Sequence, residues 1–251
     1  MTTPFIYSVH DVLPGFQLED IPEHLLNVPD RIQEATGIMP VIREFNEAFH
    51  DQNRGYAKAA ALVDINPDAG EIIFWVDPER LTPHMLGHEL IHLRRDILEG
   101  IPKLVPLSAA ANTEIYMLEN EVEHMFVIKE EIATFPDAEQ WWASHYAEIV
   151  QKAAKEQDPF TIMIHWSQLR NTLPDQVELA KELAATMRAL GQACIDQADY
   201  FREDMKQAMP DKGAMLNALL DRLSKKAKEY SLIARFTTVN GSIGRERVII
   251  T

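Results

Sequence analysis

The chain of 251 residues has a single cysteine, Cys194, which excludes an internal disulfide framework and a cysteine-based metal cluster. It has few basic residues, with 24 Lys and Arg against 39 Asp and Glu, so its formal net charge is -15. A surface with that charge repels nucleic acid and anionic lipid, and we expect neither as a partner. The chain also lacks a run of about eighteen apolar residues and a basic segment leading into an apolar stretch at its start. These absences predict a cytoplasmic protein with no membrane span and no signal peptide.

What the chain does contain is typical of a folded globular protein, with 46% hydrophobic and 25% charged residues. The spacing of its apolar residues predicts an α+β fold that is predominantly helical. Pro29 and Pro40 stand where helices are expected to begin. Two short β-branched segments, 59–65 and 71–76, flank a five-residue loop and predict a hairpin. Further helices are predicted at 82–100, 108–131, 138–155, 161–171, 175–208 and 214–230, and further strands at 232–239 and 247–250.

The helix predicted after the hairpin carries the motif that is most informative about function. Residues 88–92 spell H-E-x-x-H. Because positions i and i+4 lie one above the other on a helix, His88 and His92 can place two imidazole nitrogens on one cation. Glu89 then stands beside the cation, which is where a base for a metal-activated water is needed. The motif therefore predicts a catalytic metal site.

The start of the same helix is predicted from Thr82 as its N-cap and Pro83 in its first turn. His84 extends the two motif histidines into a row with a spacing of four residues. That row spans about 12 Å, which is too long for three histidines to meet one ion. A pair formed by His84 and His88 would also leave Met85 in the position of the base. We therefore expect His84 to line the site rather than to bind the metal.

A zinc site with two histidines needs a third protein ligand and an open position for water. The next predicted helix offers Glu121, which shares its face with apolar residues and is therefore predicted to point toward the core. A carboxylate on a buried face is costly unless it is paired or metal-bound, so Glu121 is the predicted third ligand. Glu123 lies on a face that is predicted to be solvated. His124 and Glu114 are the alternative ligands, and His124 is otherwise expected to face the substrate.

The two motifs together resemble those of the gluzincin branch of zinc metallopeptidases. Over about residues 57–131, the order of a hairpin, an H-E-x-x-H helix and a glutamate helix is similar to the minigluzincins, including the ImmA/IrrE type. The resemblance implies one Zn²⁺ per chain, with His88, His92 and Glu121 as its ligands. It also implies that Glu89 is the general base that activates water.

The chain departs from related metallopeptidase patterns at two positions. Met125 stands where thermolysin-like gluzincins carry an aspartate four residues after the glutamate ligand. Another partner would therefore have to orient the motif histidines. Leu98 stands where metzincins carry a third histidine ligand, which excludes that branch.

The resemblance implies a peptidase that cleaves peptide or protein substrates with a zinc-activated water. Glu89 would take a proton from that water and pass it to the leaving amine. If the strand at 71–76 is the edge of the sheet, it can pair with an extended substrate through backbone hydrogen bonds. Five side chains are candidates for stabilising the oxyanion, and the sequence does not choose among Tyr116, His124, His145, Tyr146 and His165.

For the domain organisation, we predict a zincin-like metallopeptidase core at 1–135 and a helical C-terminal region at 136–251. One continuous domain is the alternative. Two other functions fit the same sequence: a zinc-containing regulatory or scaffold protein without proteolytic activity, and a helical interaction domain with no metal. Metal content and the effect of Glu89→Gln distinguish these functions, while the sequence leaves the oligomeric state open.

Overall fold

The computed structural model describes residues 4–45, 60–107, 112–156, 158–222, 229–239 and 241–248 of the chain. The fold is α+β and predominantly helical, as predicted. The chain divides into two compact units, the first formed by Met1–Pro102 and Ala234–Val248, and the second by Lys103–Ile233 and Ile249–Thr251. The predicted boundary lay after residue 135. The first unit ends instead at Pro102 and also includes Ala234–Val248 from the C-terminal region.

The described part of the first unit begins with three helices: α1 (Pro4–Val12), α2 (Glu23–Leu26) and α3 (Val28–Thr36). Pro29 lies in the first turn of α3, as predicted, and the helix ends at Gly37 with φ of 75°. The helix expected at Pro40 is wrong, because residues 41–44 form a strand, β1 (Val41–Glu44). The backbone of β1 is paired in a sheet instead of forming bonds within a helical turn.

The sheet of the first unit has the order β1-β3-β2, with β2 at Ala61–Asn66 and β3 at Glu71–Val76. The predicted hairpin is confirmed, since β2 and β3 pair in antiparallel register from Ala61 opposite Val76 to Asn66 opposite Glu71. β1 pairs with the other side of β3 in parallel, with Ile42 opposite Phe74. The condition for pairing with a substrate, that β3 is a sheet edge, is therefore not met, because β3 lies between β1 and β2 among the described strands.

The motif helix, α4 (Pro83–Leu93), begins as predicted. The Thr82 hydroxyl accepts a hydrogen bond from the backbone N–H of Met85 at 3.4 Å, and Pro83 occupies the first turn. The helix continues as a π-helical turn at Arg94–Leu98, and the segment ends at Gly100 with φ of 61°. The side chains that anchor α4 in the core are apolar and fully buried: Leu86, Leu90, Ile91 and Leu93.

The second unit is built mainly from helices. Its elements are β4 (Lys103–Pro106), α5 (Asn112–Thr134), α6 (Ala138–Glu156), α7 (Pro159–Thr172), α8 (Val177–Leu190), α9 (Gln192–Ala208) and α10 (Lys212–Arg222). The single helix predicted at 175–208 is interrupted at Gly191, whose φ of 107° is incompatible with a continuous helix. On α9, Cys194 and Phe201 are buried. Most of the predicted extension of α10 to residue 230 lies outside the described residues.

Two C-terminal strands, β5 (Ser231–Val239) and β6 (Ser242–Arg247), pair in antiparallel register, with Ala234 opposite Arg247 and Val239 opposite Ser242. Gly241, just before β6, has φ of 75°. β6 begins earlier than the strand predicted at 247–250, of which the last residues lie outside the described part of the chain. Among the helices of the described residues, none is both long enough and apolar enough to cross a bilayer.

Candidate metal centre

The two motif histidines lie one turn apart on α4 and approach each other closely. The Nε2 atoms of His88 and His92 are 3.0 Å apart, and their ring planes are inclined by 73°. Two nitrogens bound to one tetrahedral Zn²⁺ at about 2.0–2.1 Å would be separated by roughly 3.3 Å. The separation in the structure is close to that value, so α4 presents two nitrogens with a spacing that suits a single ion.

Glu89, the predicted base, is buried and is held by the neighbouring strand. Its Oε2 accepts a hydrogen bond from the backbone N–H of Val63 on β2 at 3.0 Å. The backbone carbonyl of Ala60 accepts a hydrogen bond from the N–H of Asp77. The backbone N–H and C=O groups of the even-numbered residues of β2 therefore point toward β3, and those of Val63 point away from it. The outward amide of an edge strand therefore fixes the position of the Glu89 carboxylate.

His88 and His92 form the part of a possible metal-binding group that belongs to the first unit. The candidates for a third ligand, Glu121, His124 and Glu114, lie on α5 in the second unit. The side chain of Glu114 lies outside what the structure describes. Glu121 is the predicted third ligand, and His124 and Glu114 are its alternatives.

His84, which was expected to line the site, is buried at the start of α4. Its Nδ1 lies 3.2 Å from the hydroxyl oxygen of Thr82, the residue that caps the helix. His84 does not belong to the metal-binding group identified within the described residues. His84 lies one helical turn before His88, as the spacing of four residues predicts.

Glu121 is held by a different partner, the amide of Gln168 on α7. The Nε2 of Gln168 donates to the Oε2 and to the backbone carbonyl of Glu121, both at 2.6 Å. The Oε1 of the same amide lies 3.2 Å from the hydroxyl of Tyr146 and 3.1 Å from Nδ1 of His165. That Nδ1 is also 3.7 Å from Oε2 of Glu121. One buried amide therefore connects three of the side chains that the sequence analysis selected.

Three charged side chains of the second unit form a buried ion cluster that the sequence analysis missed. Lys212, at the start of α10, contacts the carboxylate of Glu119 and lies 2.7 Å from that of Glu123. The N–H of Leu104 on β4 donates to the other oxygen of Glu119 at 2.8 Å. The prediction that Glu123 is solvated is wrong, because its side chain is only 2% exposed and is compensated by a cation from another helix.

Burial has an electrostatic consequence within this cluster. Removal from water raises the pKa of Glu119, and the positive charges of Lys212 and Lys103 only partly offset that increase. A signal for the cluster was present in the sequence, since three glutamates at 119, 121 and 123 cannot all face solvent on one helix. Lys212, the partner of the buried Glu119 and Glu123, is however about ninety residues away in the sequence. A contact over that separation produces no periodic pattern.

The structure separates the five oxyanion candidates by their surroundings. Tyr146 is fully buried and donates its hydroxyl hydrogen to Gln168, and burial together with the charge of Glu121 raises its pKa well above the usual range. His145 stacks on Trp141, with ring centroids 5.3 Å apart, and burial lowers its pKa. His124 contacts Trp142 edge to face. The remaining two differ in exposure, since Tyr116 is exposed and His165 is partly buried.

Comparison with known proteins adds no assignment to this geometry. The chain matches no protein-family model, no curated protein and no solved structure.

Proposed function

We propose that this protein is a zinc-dependent peptidase of the gluzincin type with a zincin-like core. The observation that carries the proposal is the 3.0 Å separation of the His88 and His92 Nε2 atoms, on a helix that also places Glu89 beside them. We favour His124 as the third ligand because Glu121 is bonded to Gln168, and Glu121 remains the ligand that the family resemblance implies. Peptides or proteins are the substrates of such an enzyme.

The motif donors suit zinc, because imidazole nitrogens are among its preferred ligands and a third protein ligand would still leave a position open for water or substrate. When bound at such a site, Zn²⁺ would polarise a substrate carbonyl and lower the pKa of a coordinated water to about 7.

Glu89 performs the proton transfers in this proposal. Its carboxylate accepts the proton of the attacking water and donates it to the leaving amine, so that a carboxylate is regenerated at the end of each cycle. The hydrogen bond from Val63 to Oε2 keeps the carboxylate on the side of α4 that faces β2. Because Glu89 is buried, few solvent molecules compete with the reacting water for its oxygens.

Metal content is the first test of the proposed function. Protein purified without chelators or added metal is expected to contain close to one zinc per chain by elemental analysis, and His88→Ala and His92→Ala are each expected to lose it. His24→Ala, which changes a histidine on α2 outside the group, is the matched control. Absence of metal in the parent protein, with none taken up from added zinc at neutral pH, would reject the proposal.

The identity of the third ligand is tested by comparing two variants of α5. His124→Ala is expected to weaken zinc binding at least tenfold more than Glu121→Gln, because Oε2 of Glu121 is already bonded to Gln168. Competition with a chromophoric chelator measures both affinities. The opposite order would assign the third position to Glu121, as the family resemblance implies.

A proline at position 63 tests the role of the strand amide. Val63 faces away from β3, so Val63→Pro removes the hydrogen bond to Glu89 without removing one from the β2–β3 ladder. We expect peptide hydrolysis to fall about tenfold while zinc content and far-UV circular dichroism stay unchanged. Ile65→Pro, at the next outward position of β2, is the control. Equal losses in the two variants would show that damage to the strand, rather than the lost hydrogen bond, is responsible.

A further inference from the structure

The amide of Gln168 determines more than the position of Glu121. It is buried, and both of its ends have assigned partners. The end that meets Glu121 lies 2.6 Å from two oxygen atoms, a carboxylate oxygen and a backbone carbonyl oxygen. Neither of these can donate a hydrogen, so this end of the amide must be the NH₂ group. The opposite end, toward Tyr146 and His165, is therefore the carbonyl oxygen.

This orientation fixes the hydrogen on the imidazole of His165. The Nδ1 of His165 is 3.1 Å from the Gln168 oxygen and 3.7 Å from Oε2 of Glu121, and both of these atoms are acceptors. An unprotonated Nδ1 would place its lone pair against two oxygens, which is repulsive. A proton on Nδ1 satisfies the contact instead, and in the neutral ring it leaves the lone pair on Nε2.

We propose that Gln168 is a positioning residue that holds His165 in the Nδ1–H tautomer and thereby makes Nε2 a hydrogen-bond acceptor. Neutral His165 then cannot donate through Nε2 to an oxyanion. It can only accept a hydrogen bond there, so His165 is removed from the five oxyanion candidates while its ring is neutral.

Nitrogen NMR of the purified protein tests the tautomer directly, without metal or substrate. Protein with ¹⁵N-labelled histidine is measured at about pH 9, where an ordinary imidazole is neutral. The signals of His165 are identified among those of the nine histidines by their absence from His165→Gln. We expect the Nδ1–H form to exceed the Nε2–H form by at least about tenfold. A spectrum with the proton on Nε2 would overturn the proposal, and this result needs no variant of Gln168.

A substitution of Gln168 tests its role as the acceptor. Gln168→Met has a similar length but no acceptor, so we expect the excess of the Nδ1–H tautomer to fall severalfold. Gln192→Met, on the exposed surface of α9, is the control and should change nothing. Equal tautomer ratios in the parent protein and in Gln168→Met would reject the role of Gln168.

Zinc analysis of the same samples distinguishes the two proposals. Protein that binds no zinc but shows the Nδ1–H tautomer would reject the peptidase and retain the positioning role of Gln168. Protein that binds zinc but shows the Nε2–H tautomer would reject the positioning role of Gln168 and retain the peptidase. The tautomer is a property of contacts within α5, α6 and α7.

Discussion

Glu89→Gln is expected to retain one zinc per chain and to lose peptide hydrolysis by about 10²–10⁴-fold, the usual contribution of a positioned general base. Glutamine has the shape of glutamate, and its side-chain oxygen can still accept the hydrogen bond that the Val63 amide donates. The amide cannot accept and return a proton at neutral pH. The substitution therefore removes proton transfer while leaving the contact that positions the side chain.

The measurement is turnover of a peptide library by the parent protein, by Glu89→Gln and by Glu139→Gln. Glu139 is an exposed glutamate in the first turn of α6, so its substitution makes the same chemical change away from the site. Undiminished turnover in Glu89→Gln would remove Glu89 from the mechanism. Stoichiometric zinc with no cleavage by any of the three proteins would favour the zinc-containing scaffold over the enzyme.

Lys212→Met is expected to lower the free energy of unfolding of the second unit by about 3–5 kcal/mol. The Lys212 side chain is 1% exposed and contacts two carboxylates whose side chains are 4% and 2% exposed. Removing the cation leaves the buried charges of Glu119 and Glu123 next to each other without their direct partner. Lys181→Met, which breaks an exposed pair with Glu178, should cost less than about 1 kcal/mol.

Urea unfolding followed by tryptophan fluorescence measures this loss, since Trp141, Trp142 and Trp166 belong to the second unit. A compensated variant tests the cause. Adding Glu123→Leu and Glu119→Gln to Lys212→Met removes both negative charges and keeps an oxygen for the N–H of Leu104. We expect this triple variant to recover most of the stability, because replacing a whole buried ion cluster is often neutral. Stability as low as in Lys212→Met alone would assign the loss to packing of the lysine stem.

Local signals account for the parts of the fold that could be predicted from the sequence. Thr82 and Pro83 define the start of α4 through contacts within one turn, and the β2–β3 hairpin follows from alternation around a short loop. The approach of His88 and His92 also follows from helical geometry alone. These features need no partner outside their own segment.

The missed features all depend on partners that are distant in the sequence. A helix was predicted in place of β1 because Pro40 stands where a helix could begin, yet the strand is stabilised by pairing with β3 some thirty residues later. Glu123 was predicted to be solvated from the helix face on which it lies, and its cation, Lys212, is distant in the sequence. Gln168 was not selected at all, since a glutamine on a helix has no pattern that reveals three buried contacts. Periodicity indicates which face of a helix is buried, but it does not identify the partner.

The return of Ala234–Val248 to the first unit has a consequence for the order in which the protein forms. On the ribosome, the residues of Met1–Pro102 emerge first, but they lack the segment that completes their unit until synthesis has passed residue 248. Residues 103–233 emerge before that segment, so most of the second unit can fold before the first unit is complete. The H-E-x-x-H helix therefore belongs to a unit that is completed only when almost the whole chain has been made, and a nascent chain arrested before residue 234 would contain the motif without its complete scaffold.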